Sequence, residues 1–325
     1  MQNLTRWTLL LIVFALWSGC GESPRENSPG TESADPPHIV FVIGDEEYRS
    51  EESMPMMAGI LERELGARIS LCFSVDSAGV IDPNRLDHIE GLEALDSADL
   101  MVLFTRFRAL PPSELEHITR YAESGKPMVG FRTATHAFLY PDSTELAVMN
   151  NEWPTRVFGQ QWITHHGHFE DGEGPLTAVY RPDGTEHPIL RGVDDFQAYS
   201  WLYHVDGGDW KLAGDSNPLL MGRSLRSKHE MEGRLDRFPL VNPVAWTKTY
   251  TGASGQAARV FFTTLGHPYD FRNPNMRRLA LNGMYWALGK PIPEEADVTY
   301  ANTYQPNNSG FGDVYKKGLR PGQFQ

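Results

Sequence analysis

Histidine side chains, which can carry protons or bind metals, are grouped in the stretch Thr164–His168, which reads THHGH. On an extended segment His166 and His168 face one side and His165 faces the other. Two imidazoles on one face predict a divalent metal site, such as zinc, or an acid–base cluster. The alternative is a polar rim of hydrogen-bonded rings, and the spacing matches neither HExxH nor CxxC. Further ligands for such a metal would come from His136, His267 and Glu47.

A second candidate lies in the stretch GFRTATHAF, which follows an apolar run and opens a helix. Many α/β enzymes carry a nucleophile at such a strand-to-helix turn, but here Arg132 stands there, followed by Thr133. A threonine is a poor nucleophile unless a base is arranged against it. The guanidinium of Arg132 suits a carboxylate or sugar hydroxyls, or alternatively a structural ion pair with Glu46 or Glu47. His136 is the candidate proton carrier of this stretch.

Strand and helix signals alternate through the first half of the chain. Continuous apolar runs predict four strands, over 39–43, 68–75, 99–104 and 126–131. Helix signals begin at Ser53 and at Pro111, and each of these helices is expected to end at a glycine. This alternation predicts a doubly wound, mostly parallel α/β sheet of the flavodoxin-like type.

Polar and charged residues follow three of these strands, at the edge where open α/β sheets bind ligands. These segments are 44–49, 105–108 and 132–136. Solvated loop charge would explain any one of them, but three at one edge favour a functional site. We expect catalytic roles for His136, His267 and Glu47. We expect substrate-binding roles for Arg132, Tyr48, Thr133 and Arg106.

The second half has short aromatic-rich segments separated by Gly, Asp and Pro. They predict antiparallel additions and the last strands of the sheet, over 157–169, 176–181, 197–205, 210–214, 218–225, 243–250 and 258–265. His267 follows the last segment, and Gly266 beside it lets the backbone approach a ligand. A final helix is expected over 275–288. One domain would then cover 38–291, and a polar tail, 292–325, would wrap the surface or stay mobile.

The first residues predict export. Residues 1–20 have the pattern of a signal peptide, because Arg6 precedes an apolar run shorter than the ~20 residues that span a bilayer. Small residues before Cys20 are similar to a bacterial lipobox, so we expect lipidation of Cys20; an ordinary signal cleaved nearby is the alternative. Residues 21–37 would be a disordered tether. The protein is expected to be lipid-anchored in the cell envelope, on the periplasmic face, or alternatively secreted.

The charge balance excludes some partners. The formal charge is −13, with 42 acidic against 29 basic residues, and the chain has no block of lysine or arginine. This argues against nucleic acid and against electrostatic docking on anionic lipid, so a membrane would be reached only through the lipid anchor. The two cysteines are Cys20 and Cys72. If Cys20 is lipidated, Cys72 is a small core residue of a strand.

Several of these motifs resemble the ThuA-like (trehalose utilisation) family, which has the class I glutamine amidotransferase-like fold. The resemblance covers approximately 38–291 and is carried by VGFRTATHAF, HPILRGVDDF, PVAWTKTY, RVFFTTLGHP and NPNMRRLALNGMYWALG. It marks His267 as a functional residue. Arg132 stands where many members have histidine. The segment Trp201-Leu202-Tyr203 stands where the family has Glu-Leu-Tyr, so a carboxylate is lost.

The resemblance implies the fold of the amidotransferases without their reaction, because that reaction needs a cysteine thiolate at the turn where Arg132 stands. It implies a role in the use of disaccharides. We expect an enzyme that acts on a small carbohydrate or sugar derivative by proton transfer, as an isomerase, lyase or hydrolase, with or without a divalent metal. The alternative is a non-catalytic envelope lipoprotein that binds a saccharide or a protein partner, which the lost glutamate favours. Relatives with this fold often pair, which leaves a homodimer open.

Overall fold

In the described part of the chain, residues 35–167, 174–301 and 303–324 of this computed structural model, nine strands form one mixed sheet. They are β1 (His38–Gly44), β2 (Arg68–Phe73), β3 (Leu100–Thr105), β4 (Met128–Phe131), β5 (Thr177–Tyr180), β6 (Phe196–Ala198), β7 (Asn217–Ser224), β8 (Val241–Thr251) and β9 (Ala257–Thr263). Their order across the sheet is β2-β1-β3-β4-β9-β8-β7-β5-β6. Neighbours are parallel from β2 to β9 and antiparallel from β9 to β6.

The described residues form five α-helices, and four of them, all but the short fourth helix, cover the two faces of the parallel part of the sheet. The five helices are α1 (Ser50–Leu65), α2 (Pro112–Glu123), α3 (Glu152–Phe158), α4 (Lys228–Met231) and α5 (Pro274–Ala287). Phe41 of β1 belongs to the hydrophobic core that includes α1 and α5, whereas its neighbour Val42 belongs to the core that includes α2 and α3. Because both faces of the strand are covered, its sequence is a continuous apolar run.

The expected antiparallel additions in the second half are confirmed, and so are the strands drawn from continuous apolar runs. The first helix begins at Ser50, three residues before the expected Ser53, because Arg49 makes the turn in the left-handed region at φ 53°. Two segments expected as strands are not strands, and of the expected strand 197–205 only residues 197–198 lie in one, β6. The segment 157–167 contains the end of α3 and irregular backbone, and 210–214 forms turns. Their aromatic residues pack against other side chains without extending the sheet.

The described part of the tail packs against the domain. The hydroxyl of Tyr304 donates to the carbonyl oxygen of Pro268 (3.0 Å), and the backbone N–H of Ile81 donates to the carbonyl oxygen of Leu319 (2.8 Å). The tail therefore wraps the surface, which is one of the two expected outcomes. Cys20, the signal peptide and most of 21–37 lie outside the described residues.

Cys72 lies within the described residues, and it is buried in β2 as expected. Its thiol donates to the carbonyl oxygen of Gly91 (3.1 Å), and burial raises the pKa of this thiol to about 12. It is therefore a packing residue and no nucleophile at neutral pH. Among the described helices, none combines the length and the apolar character that a membrane span requires.

Candidate functional site

The carboxyl ends of β1, β3 and β4 meet around Arg132, which directly follows β4. Its backbone lies in the left-handed region at φ 39° and begins a 3-10 helix over Arg132–His136. The side chain is fully buried. Its guanidinium donates to the carbonyl oxygens of Thr264 (2.8 Å) and Trp201 (3.3 Å) and to the hydroxyl of Tyr48 (3.0 Å). A buried cation therefore occupies the strand-to-helix turn.

Two tyrosine rings enclose this cation. The guanidinium carbon of Arg132 lies 4.1 Å from the ring centroid of Tyr48 and 4.5 Å from that of Tyr203. Both rings are buried, and cation–π contact is strongest where water is excluded. Burial by itself lowers the pKa of Arg132. The oxygens of Tyr203 and Tyr48 raise this pKa, and together with the other neighbours their effect outweighs that of burial, so the net shift is upward. The charge on this side chain is permanent.

The acids after β1 pair with the arginines after β3. Glu46 forms ion pairs with both Arg106 and Arg108, and Oε2 of Glu47 lies 3.1 Å from Nε of Arg106. These are the structural ion pairs that one interpretation assigned to Arg132. Arg106 is placed at the same edge as Arg132, as expected from the strand ends, but its guanidinium is already paired with two carboxylates.

Glu47 is the acid that is best suited to exchange a proton near neutral pH. Burial raises the pKa of its carboxyl group to about 7, and the neighbouring Arg106 opposes part of that rise. The hydroxyl of Tyr48 hydrogen-bonds to the same carboxyl group. Because Arg132 donates to the oxygen of Tyr48, a continuous chain of contacts joins the buried cation to the acid. We call Arg132, Tyr48, Glu47, His136 and His267 the Arg132 centre.

Asp45 organises the loop that carries Tyr48 and Glu47. Its Oδ1 atom accepts hydrogen bonds from the backbone N–H groups of Glu47 and Tyr48, both at 2.7 Å. Its Oδ2 atom accepts a hydrogen bond from the hydroxyl of Thr133. Thr133 is fully buried, so the structure places this expected substrate-binding residue in the scaffold, where it ties the loop after β1 to the turn at Arg132.

His136 ends the 3-10 helix that Arg132 begins. Its ring centroid is 6.1 Å from that of Tyr203, 5.0 Å from that of Phe107 and 5.2 Å from that of Trp162. Burial places the pKa of His136 well below the usual value, and the positive charge of Arg106 and Arg132 lowers it further. The imidazole is therefore neutral at physiological pH, which suits a hydrogen-bonding group better than a general acid.

His267 follows β9, and its loop is held by Asp270. The backbone N–H groups of Gly266 and His267 donate to Oδ2 of Asp270 (3.0 and 3.1 Å). The ring of His267 lies 6.3 Å from that of Tyr48, and its Nδ1 accepts from the N–H of Tyr269 (3.0 Å). Burial lowers the pKa of His267 to about 3, and Arg132 contributes to that lowering. This second imidazole is also neutral.

His165 and His166 face opposite sides, as the sequence predicted. The ring of His165 stacks on Trp201 with centroids 4.5 Å apart, while Nδ1 of His166 lies 2.8 Å from Oγ of Ser227. His168, the second expected metal ligand, lies outside the described residues. Within those residues, no group of three or more His, Cys, Asp or Glu side chains is placed to hold a metal ion. A metal at His166 and His168 stays a prediction.

His166 belongs to a second group of buried histidines, which we call the Phe238 cluster: His166, His204, His229 and Phe238. The ring of His229 lies 5.2 Å from that of His166 and 4.3 Å from that of Phe238. The ring of His204 lies 5.1 Å from that of Phe238. Neither ring nitrogen of His204 has a hydrogen-bond partner in the structure. This imidazole acts as an aromatic packing group.

Sequence reasoning missed the two aspartates that fix the loops. Asp45 lies in the segment already noted, and its position two residues before Glu47 and three before Tyr48 suits capping of backbone N–H groups. Asp270 has local contacts with Gly266 and His267, but it also accepts from the N–H of Tyr199 (2.6 Å), far away in the chain. Only the folded chain shows that contact.

The family model for trehalose utilisation, ThuA, matches residues 40–287. The chain belongs to the ThuA family. The ThuA match begins in β1 and ends with α5, so it includes the Arg132 centre and leaves out the tail.

Two solved structures of ThuA-like proteins are similar to this chain. The one from Parabacteroides merdae ATCC 43184 is 16% identical, with a TM-score of 0.50, over 87% of this chain and 100% of that one. The one from Bacteroides uniformis ATCC 8492 is 15% identical, with a TM-score of 0.48, over 80% and 95%. At such identities the likeness concerns the fold alone. No curated protein sequence matches this ThuA chain.

Proposed function

We propose that this ThuA protein acts on a carbohydrate derivative by proton transfer, with Glu47 as the group that takes up and returns the proton. The observation that carries the proposal is the raised pKa of the Glu47 carboxyl group. Burial raises its pKa to about 7 while Tyr48 and Arg106 hold its carboxyl group in place. General acid–base catalysis is most effective when the pKa of the catalytic group lies near the working pH. The family description, trehalose utilisation, supports the substrate class.

The other groups of the centre have supporting roles in this proposal. Arg132 is a permanent cation whose hydrogen bond to the oxygen of Tyr48 holds that hydroxyl group toward the carboxyl group of Glu47. The neutral ring of His136 would orient hydroxyl groups, whereas the ring of His267 packs edge-on against Tyr48. Proton removal next to a carbonyl, elimination or hydrolysis would all use this arrangement, and none of them needs a side-chain nucleophile.

A second candidate function is saccharide binding without turnover. It is favoured by the pKa values of His136 and His267, which lie well below neutral, so that neither ring exchanges a proton at physiological pH. Aromatic rings also surround His136, and such rings can stack on a sugar. In this case Glu47 would accept hydrogen bonds from hydroxyl groups and would transfer no proton.

A saccharide screen with two matched variants separates these functions. The purified protein is assayed for binding and turnover of ordinary and oxidised disaccharides, trehalose included. We expect Glu47→Gln to lower turnover by roughly 100-fold or more while saccharide binding persists. The control is Glu51→Gln: Glu51 is also buried, with a pKa raised by burial to about 8, but it lies in α1 beside Arg49. Binding without turnover by the unmodified protein would establish the second candidate.

Three further proposals concern the setting of this function. We infer that the parallel part of the sheet is a doubly wound, flavodoxin-like arrangement, supported by the order β2-β1-β3-β4 and by helices on both faces.

We also infer that the protein is lipid-anchored through Cys20 in the cell envelope, on the periplasmic face, and that it can form a homodimer. Radiolabelled palmitate incorporation, with Cys20→Ala as the control, tests the anchor.

A further inference from the structure

Part of the tail crosses the Arg132 centre, although it lies outside the matched family region. We call residues 303–316 the C-terminal strap. Its ends are fixed: the hydroxyl of Tyr304 donates to the carbonyl oxygen of Pro268 (3.0 Å), and Nζ of Lys316 lies 2.6 Å from Oε2 of Glu52 in α1. The backbone N–H of Asn307 donates to the same Glu52 atom (3.3 Å). The strap is therefore held across the N-terminus of α1.

The strap reaches His267 through Asn308. The side chain of Asn308 lies beside the imidazole and raises its pKa against the effect of burial. The hydroxyl of Tyr304 fixes the strap to the carbonyl oxygen of the next residue, Pro268. Nδ1 of His267 accepts from the N–H of Tyr269, so Nε2 carries the ring proton. Tyr269 therefore sets the tautomer of His267, while Asn308 contacts the ring from outside the matched family region.

The strap also contacts Glu47 and two arginines, Arg49 and Arg106. The backbone N–H of Gly310 donates to the carbonyl oxygen of Glu47 (2.9 Å), and the carbonyl oxygen of Gly310 accepts from Arg49 (2.6 Å). Gly310 (φ 151°) and Gly312 (φ 73°) have backbone conformations that favour glycine. Between them, the ring of Phe311 lies 5.0 Å from the guanidinium of Arg106 and is 47% exposed.

We propose that the strap supplies two residues of the site: Phe311 forms an apolar platform for a sugar ring, and Asn308 positions His267. The expected ligand is an uncharged, hydroxyl-rich molecule, because Arg106 is already paired with Glu46 and Glu47. A sugar presents an apolar ring face and hydroxyl edges, which match an exposed aromatic ring beside paired charges. This ligand class rests on the proposed function, whereas the position of the strap over His267 does not.

The cover over His267 is tested without any sugar. Diethyl pyrocarbonate modifies accessible neutral imidazoles, and peptide mass spectrometry gives the rate at each histidine of the full chain. We expect Asn308→Ala and Phe311→Ala to speed modification of His267 by roughly tenfold. A tenfold change corresponds to a loss of about 1.4 kcal/mol in the free energy that keeps the ring covered. Val314→Ala is the control, because Val314 is an exposed strap residue whose contact with Asn307 uses only its carbonyl oxygen.

His88 is far from the strap in the sequence, and its side chain is 38% exposed. It serves as the internal control for the activity of the reagent and should react at the same rate in every variant. Equal rates at His267 in the unmodified protein, Asn308→Ala and Phe311→Ala would overturn the strap as part of the site. Thermal denaturation of each variant shows whether a faster rate at His267 comes instead from general unfolding, which would also speed modification of the Phe238 cluster. Faster modification of the Phe238 cluster together with His267 would therefore contradict the proposal as well.

The ligand class is tested with the disaccharides of the functional screen. Phe311→Ala should raise KM roughly tenfold with little change in kcat, because it removes a stacking surface. Asn308→Ala should lower kcat, and Asn308→Gln, which keeps the acceptor, should restore part of it. If the unmodified protein binds no saccharide, the proposed function and the ligand class fail together, while the modification rates still decide whether the strap covers the site. Unchanged KM in Phe311→Ala would exclude the platform.

Discussion

The molecule contains two groups of buried histidines, and they differ in what surrounds them. His136 and His267 lie near a permanent cation, Arg132, and a carboxyl group, Glu47, whose pKa is close to neutral. The histidines of the Phe238 cluster lie among aromatic rings, and a charged neighbour of the cluster, Arg234 at 2.9 Å from Nδ1 of His229, is half-exposed. Burial is the first cause of the lowered pKa values in both groups.

The difference teaches that the number of histidines in a segment does not tell whether a buried cation and a proton-exchanging acid lie beside them. The THHGH stretch gave the densest histidine signal in the sequence, yet His166 faces Ser227 and His229, whereas the exchangeable proton lies on an acid, Glu47. In the proposed site the charged residues come from three separate strand ends. Variants that disturb one group and leave the other intact test this contrast.

The largest effect is expected at Arg132. Its guanidinium satisfies two buried carbonyl oxygens and contacts two buried tyrosine rings, so Arg132→Ala leaves these groups without partners. We expect a loss of about 3–5 kcal/mol in the free energy of unfolding, measured by urea denaturation. A loss below about 1 kcal/mol would show that the cation does not hold the centre together.

The next effect is a pH dependence at Glu47. Its pKa in the folded protein is raised to about 7, above the usual value, so the folded state binds a proton that the unfolded state releases. The stability from this group is therefore complete at acid pH and is lost as pH rises to and through about 7, by up to about 3 kcal/mol.

Glu47→Gln should remove this slope, which urea denaturation at a series of pH values will show. Glu51, whose pKa is raised to about 8, contributes a slope of the same sign at slightly higher pH, so Glu51→Gln serves as the comparison. A slope between pH 5 and 7 that is the same in Glu47→Gln and in the unmodified protein would place the raised pKa elsewhere.

A smaller loss is expected at Asp270. Five donors point to its carboxylate, from Tyr199, Ser200 (two), Gly266 and His267. Asp270→Asn replaces one acceptor oxygen by an amide NH₂ that faces these donors, which should cost about 2 kcal/mol of stability. The ring of His267 should also become more reactive toward diethyl pyrocarbonate. A variant as stable as the unmodified protein would contradict this role.

The smallest effect is expected in the Phe238 cluster. Both ring nitrogens of His204 lack hydrogen-bond partners, and its ring packs against Trp210 and Phe238. His204→Phe keeps the ring and removes two unsatisfied polar atoms, so stability should change by less than about 1 kcal/mol or should rise. A large loss would mean that an imidazole nitrogen of His204 is needed, and the contrast between the two groups would weaken.

The sequence was informative where local chemistry determines structure. The apolar runs of β1, β3 and β4 predicted the parallel strands, and the rule that ligands bind at strand ends then placed Glu47, Arg106 and Arg132 at one edge. The pairing of the acids with Arg106 instead of Arg132 could not be predicted, because it depends on side-chain directions beyond the strand ends.

Non-local contacts account for what was missed. The segment 157–167 has the aromatic content of a strand, but Gly159, at φ 95°, ends α3 there and the chain continues as irregular backbone. Asn308 lies beside His267, and it comes from a tail whose composition indicates only a polar segment that wraps the surface or stays mobile. Nothing near Asn308 in the sequence signals this contact.

The most direct test of the central claim is the rate of disaccharide turnover in Glu47→Gln and His204→Phe, measured side by side on the substrate that the screen identifies. We expect Glu47→Gln to lose roughly 100-fold or more in kcat and His204→Phe to retain the rate of the unmodified protein. We also expect the rate of the unmodified protein to rise with pH through about 7, as Glu47 ionises. Full activity in Glu47→Gln together with loss of activity in His204→Phe would contradict the account.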